Sequence, residues 1–382
     1  MPYAMSFGKI GMKFSDIGLM FPNHNTPSSK LVLRSVIRVW TCTALRSNFA
    51  GDKKNNGISM NVFVRFLKNW TLPVGMTCGM LGFLAFHYVR LLAPIKPAAL
   101  ETAEFLMPTV LFIMLFATFC KVNPRDMRIT RWHVWLVLFQ LLSCLAIALF
   151  LHFTPCFSHA LLTEEMIICL VCPTAGAAAV ITGKLGGSET SLTTYTILSN
   201  LAAAIIIPLV FPLVEKHADA SFLSQFFVIL RRVFPLLIFP FLIAWGLREF
   251  FPKAHAAVVR RTNGLAFYLW GFGLVLSVGQ TCRFLVDSPV GIHLKWMLSL
   301  VSLFACALQF FIGKNIGAVY GERIGGGQGL GQKNTIFAIW VSYTYLSPVL
   351  SVAPGTYIIW QNVFNSWQLW RKQRRDKRAK TK

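Results

Sequence analysis

Two glycine-rich interruptions inside apolar runs carry the residues that could do chemistry. The first, CPTAGAAAVITGKLGG, runs from residue 172 to 187. The second opens the stretch 325–354, GGGQGLGQKNTIFAIWVSYTYLSPVLSVAP, and packs Gly325, Gly326, Gly327, Gln328, Gly329, Gly331, Gln332, Lys333 and Asn334 into ten positions. Glycine and polar residues at that density are expected to break a helix. In lipid, the backbone groups freed by a break must be satisfied by protein or by a watery cavity. Each half-helix that resumes after a break presents free amides and a positive dipole end. Two such ends meeting in mid-membrane, with Lys333 beside them, favour an anion, and the apolar surroundings favour an organic one. For either stretch alone, two helices joined by a glycine-rich loop is the plain reading. The occurrence of both in matching halves is the stronger pointer, because paired interrupted segments mark the binding sites of secondary transporters.

The remaining chemistry-bearing residues are few. Lys333 has no acid near it in sequence; it is read either as facing a cavity at the break or as a lysine snorkelling from a helix end. His87 in the first apolar run reads as a hydrogen-bonded core histidine. Glu101, Glu104, Glu164 and Glu165 read as lying at the starts of spans. Cys169 and Cys172 form a CxxC, but no second pair or nearby histidine completes a metal site, so the cysteines read as small apolar residues. No HExxH, GxSxG or Walker pattern occurs, which leaves an enzyme without support.

Elements that could hold these residues are spans. The 382-residue chain is 55% hydrophobic and 13% charged, with mean hydropathy +0.58. A soluble domain of that size would carry roughly 25% charge. Ten apolar runs are long enough to cross a bilayer, over residues 71–92, 104–121, 131–152, 162–182, 189–213, 222–247, 262–284, 294–319, 328–347 and 349–371. The connections leave no room for a soluble domain. Net charge is +23, and here it implies anionic lipid at cytoplasmic loops rather than nucleic acid. Lys121, Arg125, Arg128, Arg131, Lys184, Arg248, Lys253, Arg260, Arg261, Lys314 and Arg323 fall on the side of the basic tail 372–382, whereas Arg90, Lys96, Lys216, Arg283 and Lys295 fall opposite. Both termini are therefore expected in the cytoplasm. Arg231 and Arg232 lie within the sixth run and read as its interfacial start. Ten spans split into five and five, so the halves are expected to be inverted, with the fourth span of each broken. Residues 1–59 are basic and lack a signal-peptide core; they are expected to be a disordered extension, a transit-type peptide, or sequence upstream of a true start at Met60.

Several motifs together resemble the bile acid:sodium symporter family, in its bacterial ten-helix form. They are Cys172-Pro173 with its small-residue run, GQKN at 331–334 where the family usually has GxQN, LFATFCKVNPRDM at 115–127, and SVAPGTYIIWQNVFNSWQLW at 351–370. The resemblance covers residues 60–370 and implies an all-α membrane domain, 60–371. Spans 3–5 and 8–10 would form a core, spans 1, 2, 6 and 7 a panel, and broken spans 4 and 9 would cross. It implies a substrate crevice beside the crossing, edged by Pro173, Thr174, Gly176 and Ala177 on one side and Asn334 and Thr335 on the other. It also implies two sodium sites behind the crossing. Of the ligand positions, Gln140 is kept and Thr196 matches a hydroxyl. A Ser-Asn pair is replaced by Ala178 and Ala179, a glutamate by Gly329, and the GxQN glutamine by Lys333. Methyl groups offer sodium no oxygen and an ammonium repels it.

The expectation is therefore a multi-pass protein of a bacterial inner membrane that carries a small organic anion by alternating access. No cofactor or metal is expected, and no nucleic-acid partner. Lys333 would replace the sodium ions, either as a fixed charge or as a group that releases a proton during the cycle. The rivals are a sodium-coupled symporter of the same anion class and a non-transporting membrane receptor. Substrate, direction and oligomeric state are open.

Overall fold

The computed structural model describes residues 71–154, 160–214, 221–262, 265–288 and 290–381. Expectations about residues 1–59 lie outside them. Among the described residues the protein is all-α, with no strand, and has thirteen helices. These are α1 Thr71–Tyr88, α2 Lys96–Phe119, α3 Arg131–Phe153, α4 Ala160–Val171, α5 Ala178–Leu185, α6 Glu189–Val214, α7 Phe222–Phe250, α8 Pro252–Arg261, α9 Leu265–Asp287, α10 Ile292–Val319, α11 Arg323–Gly331, α12 Thr335–Tyr345 and α13 Val352–Thr381. Six of them, α2, α3, α6, α7, α9 and α10, contain stretches long and apolar enough to cross a membrane. The pairs α4/α5 and α11/α12 are too short to cross singly, because an unbroken span takes about 20 residues.

The helices pack as two sets joined by an extensive contact between α6 and α7. α9 lies against α1 and α2, and α2 against α7. α10 lies against α11, α13 and α4, and α3 against α4 and α6. The groups touch chiefly where α6 meets α7 and where α12 meets α2 and α9. The main apolar core runs through both, from Met107, Leu111 and Leu115 of α2 to Ile336, Phe337 and Val341 of α12.

Three features differ from the sequence reading. The glycine run 325–331 does not break its helix: α11 continues through it and stops only at Gln332, in extended backbone. The glycines serve packing instead. A Cβ at Gly326 would collide with the backbone of Gly313 and Gly317, and one at Gly313 with the Gly326 carbonyl. Gly313 and Gly317 stand four apart on α10, so two helix backbones meet at a close approach that only small residues permit. The second difference concerns Glu165, which is fully buried within α4 rather than at the edge of a span. The third concerns the tail, whose residues to Thr381 continue α13 as one helix. Arg231 and Arg232 are exposed, well inside α7, which begins at Phe222. His87 lies 3.7 Å from Asp287 across the ends of α1 and α9.

Candidate functional site

The two interruptions meet. Thr174 and Lys333 form an isolated antiparallel bridge. Around it the Ala175 amide donates to the Gln332 carbonyl (2.9 Å), and the Asn334 amide to the Pro173 carbonyl (2.8 Å). Each break thus supplies the backbone partners that the other lost, which is how unwound chain can be held away from water.

The helix ends entering the breaks are capped from elsewhere. An α-helix leaves its last four carbonyls without intrahelical partners. At the end of α4 the Cys169 carbonyl accepts from Gln309 Nε2 (3.1 Å) and the Leu170 carbonyl from Lys333 Nζ (2.9 Å). The Val171 and Cys172 carbonyls accept from Gln140 Nε2 (2.6 and 3.3 Å). The end of α11 is treated alike: Thr174 Oγ1 donates to the Gly329 carbonyl (2.6 Å) and the Tyr357 hydroxyl to the Gly331 carbonyl (3.0 Å). Lys333 is 2% exposed. Its ammonium sits at the negative end of the α4 dipole, where a cation is favoured, near the thiols of Cys172, Cys144 and Cys169. Its own amide donates to Gln361 Oε1 (2.9 Å). Gln140, the glutamine kept among the ligand positions, holds the neighbouring carbonyls of Val171 and Cys172.

The helix starts leaving the breaks are less occupied. Gly176 and Ala177, at the head of α5, are half-buried, and Gly176 faces Thr118 of α2. Asn334 caps α12, its Oδ1 accepting from the Phe337 amide (3.3 Å). Asn334 Nδ2 is buried and has no partner. Thr335 follows as the first residue of α12, 6% exposed. Pro173 and Thr174 are buried within the break. The Thr174 amide donates to Ser199 Oγ (3.1 Å) and its hydroxyl is already committed to Gly329. The six residues expected to edge a substrate site are therefore contiguous in space, but Thr174 is turned inward.

Behind the crossing, Ala178, Tyr195 and Leu330 pack with Trp132, Leu136 and Leu192, and Ala179 lies against this cluster. A Cβ at Gly329 would stand 2.8 Å from two carbons of the Tyr195 ring. Thr196 Oγ1 donates within its own helix, to the Leu192 carbonyl (2.9 Å). Apolar surface and a tyrosine ring thus fill the space beside these positions.

Residues 108–288 match the Sodium Bile acid symporter family. The match begins inside α2 and ends just after α9, so it contains the first interruption and not the second. No curated protein matches the chain. With several helices able to cross a bilayer, the chain is a membrane protein that carries a transporter-family domain. The positions that the symporter resemblance assigns to sodium fall on the apolar cluster, on Gln140, on Thr196, whose hydroxyl donates within its own helix, and on the Lys333 ammonium. Neither cluster nor ammonium offers the oxygen ligands a hard cation needs.

Sequence reasoning missed four residues that hold the crossing: Gln309, Tyr357, Gln361 and Ser199. Gln309 is a lone polar residue in an apolar run, and Ser199, Tyr357 and Gln361 adjoin Asn200, Thr356 and Asn362.

Proposed function

We propose that this protein is a secondary transporter that moves a small organic anion by alternating access and is not driven by sodium. In this reading ten membrane-crossing units form two inverted repeats of five, α4/α5 and α11/α12 are the fourth and ninth, and both termini face the cytoplasm of a bacterial cell. The pairing of the two interruptions is the observation that carries it. It joins the segments that lead into α5 and α12, half-buried at Gly176 and Ala177 and buried at Asn334 and Thr335, and first-turn amides and dipole ends attract negative charge. The unpartnered Asn334 Nδ2 adds a donor there. The grouping of α1, α2, α7 and α9 against the rest supports a panel that moves relative to a core. The cluster around Tyr195 and the ammonium of Lys333 support independence from sodium.

Uptake into proteoliposomes tests this, with taurocholate, pantoate, a 2-keto acid and a sulfated steroid as probes. The expected result is saturable accumulation or exchange of at least one, unchanged when sodium is replaced by potassium. Uptake that rises steeply with sodium would assign the sodium-coupled alternative. Binding without uptake in either salt would assign a receptor.

A further inference from the structure

Glu165 is the one buried carboxyl among the described residues, and it is fully buried. Neither carboxyl oxygen has a hydrogen-bond partner of normal geometry, although the Ala353 amide at the head of α13 lies beside it. The ion pairs described, His87–Asp287, Arg125–Glu249 and Arg283–Glu104, all lie elsewhere. Cys169 stands four residues on, hence on the same helix face. That face is packed among Ala305, Cys306, Ala353 and Tyr357. A carboxyl placed this deep among apolar groups, with no cation fixing its charge, is a functional candidate by default. One further residue along α4, the Leu170 carbonyl holds the ammonium of Lys333. The core therefore contains one acid on α4 and one lysine, from the turn before α12, bound to the end of that helix; Glu165 and Leu170 stand about 7.5 Å apart along the α4 axis, and acid and ammonium are not paired.

We propose that Glu165 is a proton-binding site that couples proton movement to anion transport. The inference rests on the transporter reading above. With Glu165 ionised, its charge and that of Lys333 cancel and the core is neutral. When the carboxylate takes a proton from the open aqueous side, an O–H bond forms and the Lys333 charge is left uncompensated. The anion bound at the heads of α5 and α12 then restores neutrality. When the crevice opens on the other side, the anion leaves and the O–H bond gives its proton to water. One proton travels with one negative charge.

The titratable groups around Glu165 are few. α4 carries Glu164 and Cys169, the break after it brings Cys172, α10 brings Cys306, α13 brings Tyr357, α3 brings Cys144, and the turn before α12 brings Lys333. Tyr343 and Tyr345, in the last turn of α12, lie against Met107 and Trp340. On α6, Glu189 and Tyr195 lie against Gly183 and Gly329.

The test reads the proton directly. Purified full-length protein in lipid nanodiscs is titrated while infrared difference spectra record the carbonyl stretch of protonated carboxylic acids. The expected result is a pH-dependent band that disappears in Glu165→Gln and persists in Glu164→Gln. Glu165→Asp, which keeps the acid, shifts the band instead of removing it and covers the case in which Glu165→Gln does not fold. Absence of a pH-dependent band, or a band unchanged in both Glu165 variants, would overturn the proposal. The uptake assay with the same four probes is then run with the outside more acidic than the inside. Accelerated uptake that is lost in Glu165→Gln supports coupling. Uptake indifferent to the gradient overturns coupling while leaving the transporter reading standing. A titrating Glu165 band with no uptake of any probe overturns the coupling and the transporter reading together, and leaves Glu165 as a proton site only.

Discussion

Replacing Lys333 by methionine separates what the ammonium does for stability from what it does for function. The substitution keeps an unbranched apolar stem of similar bulk and deletes the charge. Two losses follow. The charge-assisted bond to the Leu170 carbonyl contributes about 1.5–3 kcal/mol, and the cation at the end of α4 adds up to about 2 kcal/mol from the dipole. Against these stands the burial of an ammonium that no carboxylate touches, an effective penalty of several kcal/mol. The terms cancel to within about 2 kcal/mol. A melting transition followed by fluorescence of the chain's 11 tryptophans should therefore move by less than about 8 °C. Uptake of whichever anion the wild type carries should be lost, because the core charge that the anion balances is gone. A much larger drop in melting temperature, or failure to fold, would show that the ammonium is a structural clamp, and the argument from unpaired charge would be wrong. Wild-type uptake by a well-folded variant would equally refute it.

Three further predictions rest on the same geometry. Gly329→Ala brings a methyl against the buried Tyr195 ring and should cost about 1–3 kcal/mol through overpacking; an unchanged melting temperature would mean the ring is free to move. Asn334→Ala should cost only about 1 kcal/mol of stability as a lost helix cap, yet weaken binding of a confirmed ligand by about tenfold or more; equilibrium binding beside a melting curve separates the two. Thr174→Val removes the donor to the Gly329 carbonyl and leaves that buried oxygen unsatisfied, which should destabilise by about 1–3 kcal/mol in the same melting assay.

Much of the fold was legible in the sequence because a bilayer imposes a length on every apolar run. The helices that follow 131, 189, 222 and 294 begin at or within about two residues of the runs read from hydropathy, and the two interruptions stand out by composition. The place of the second break was not legible. Glycine marks both a weak helix and a close helix approach, and only the partner backbone at Gly313 and Gly317 tells them apart. Glu165 was misplaced for a related reason: an acid near the start of an apolar run looks interfacial, and hydropathy says nothing about what packs over it. The carbonyl caps were hidden because Gln309 and Tyr357 lie far in sequence from the helix ends they serve.

The single helix α13 has a mechanical consequence. Its 30 residues make a rod about 45 Å long, and along it Tyr357 grips the end of α11, Gln361 grips the amide of Lys333, and Lys372 Nζ reaches the Lys184 carbonyl near the end of α5 (3.0 Å). Both broken helices are thus bolted to one stiff strut at different heights. Relative sliding of the half-helices would have to shear at least one of those bolts. Compliance in the working cycle is therefore expected at the seams where α6 meets α7 and α12 meets α2, with the crossing carried along as undeformed cargo.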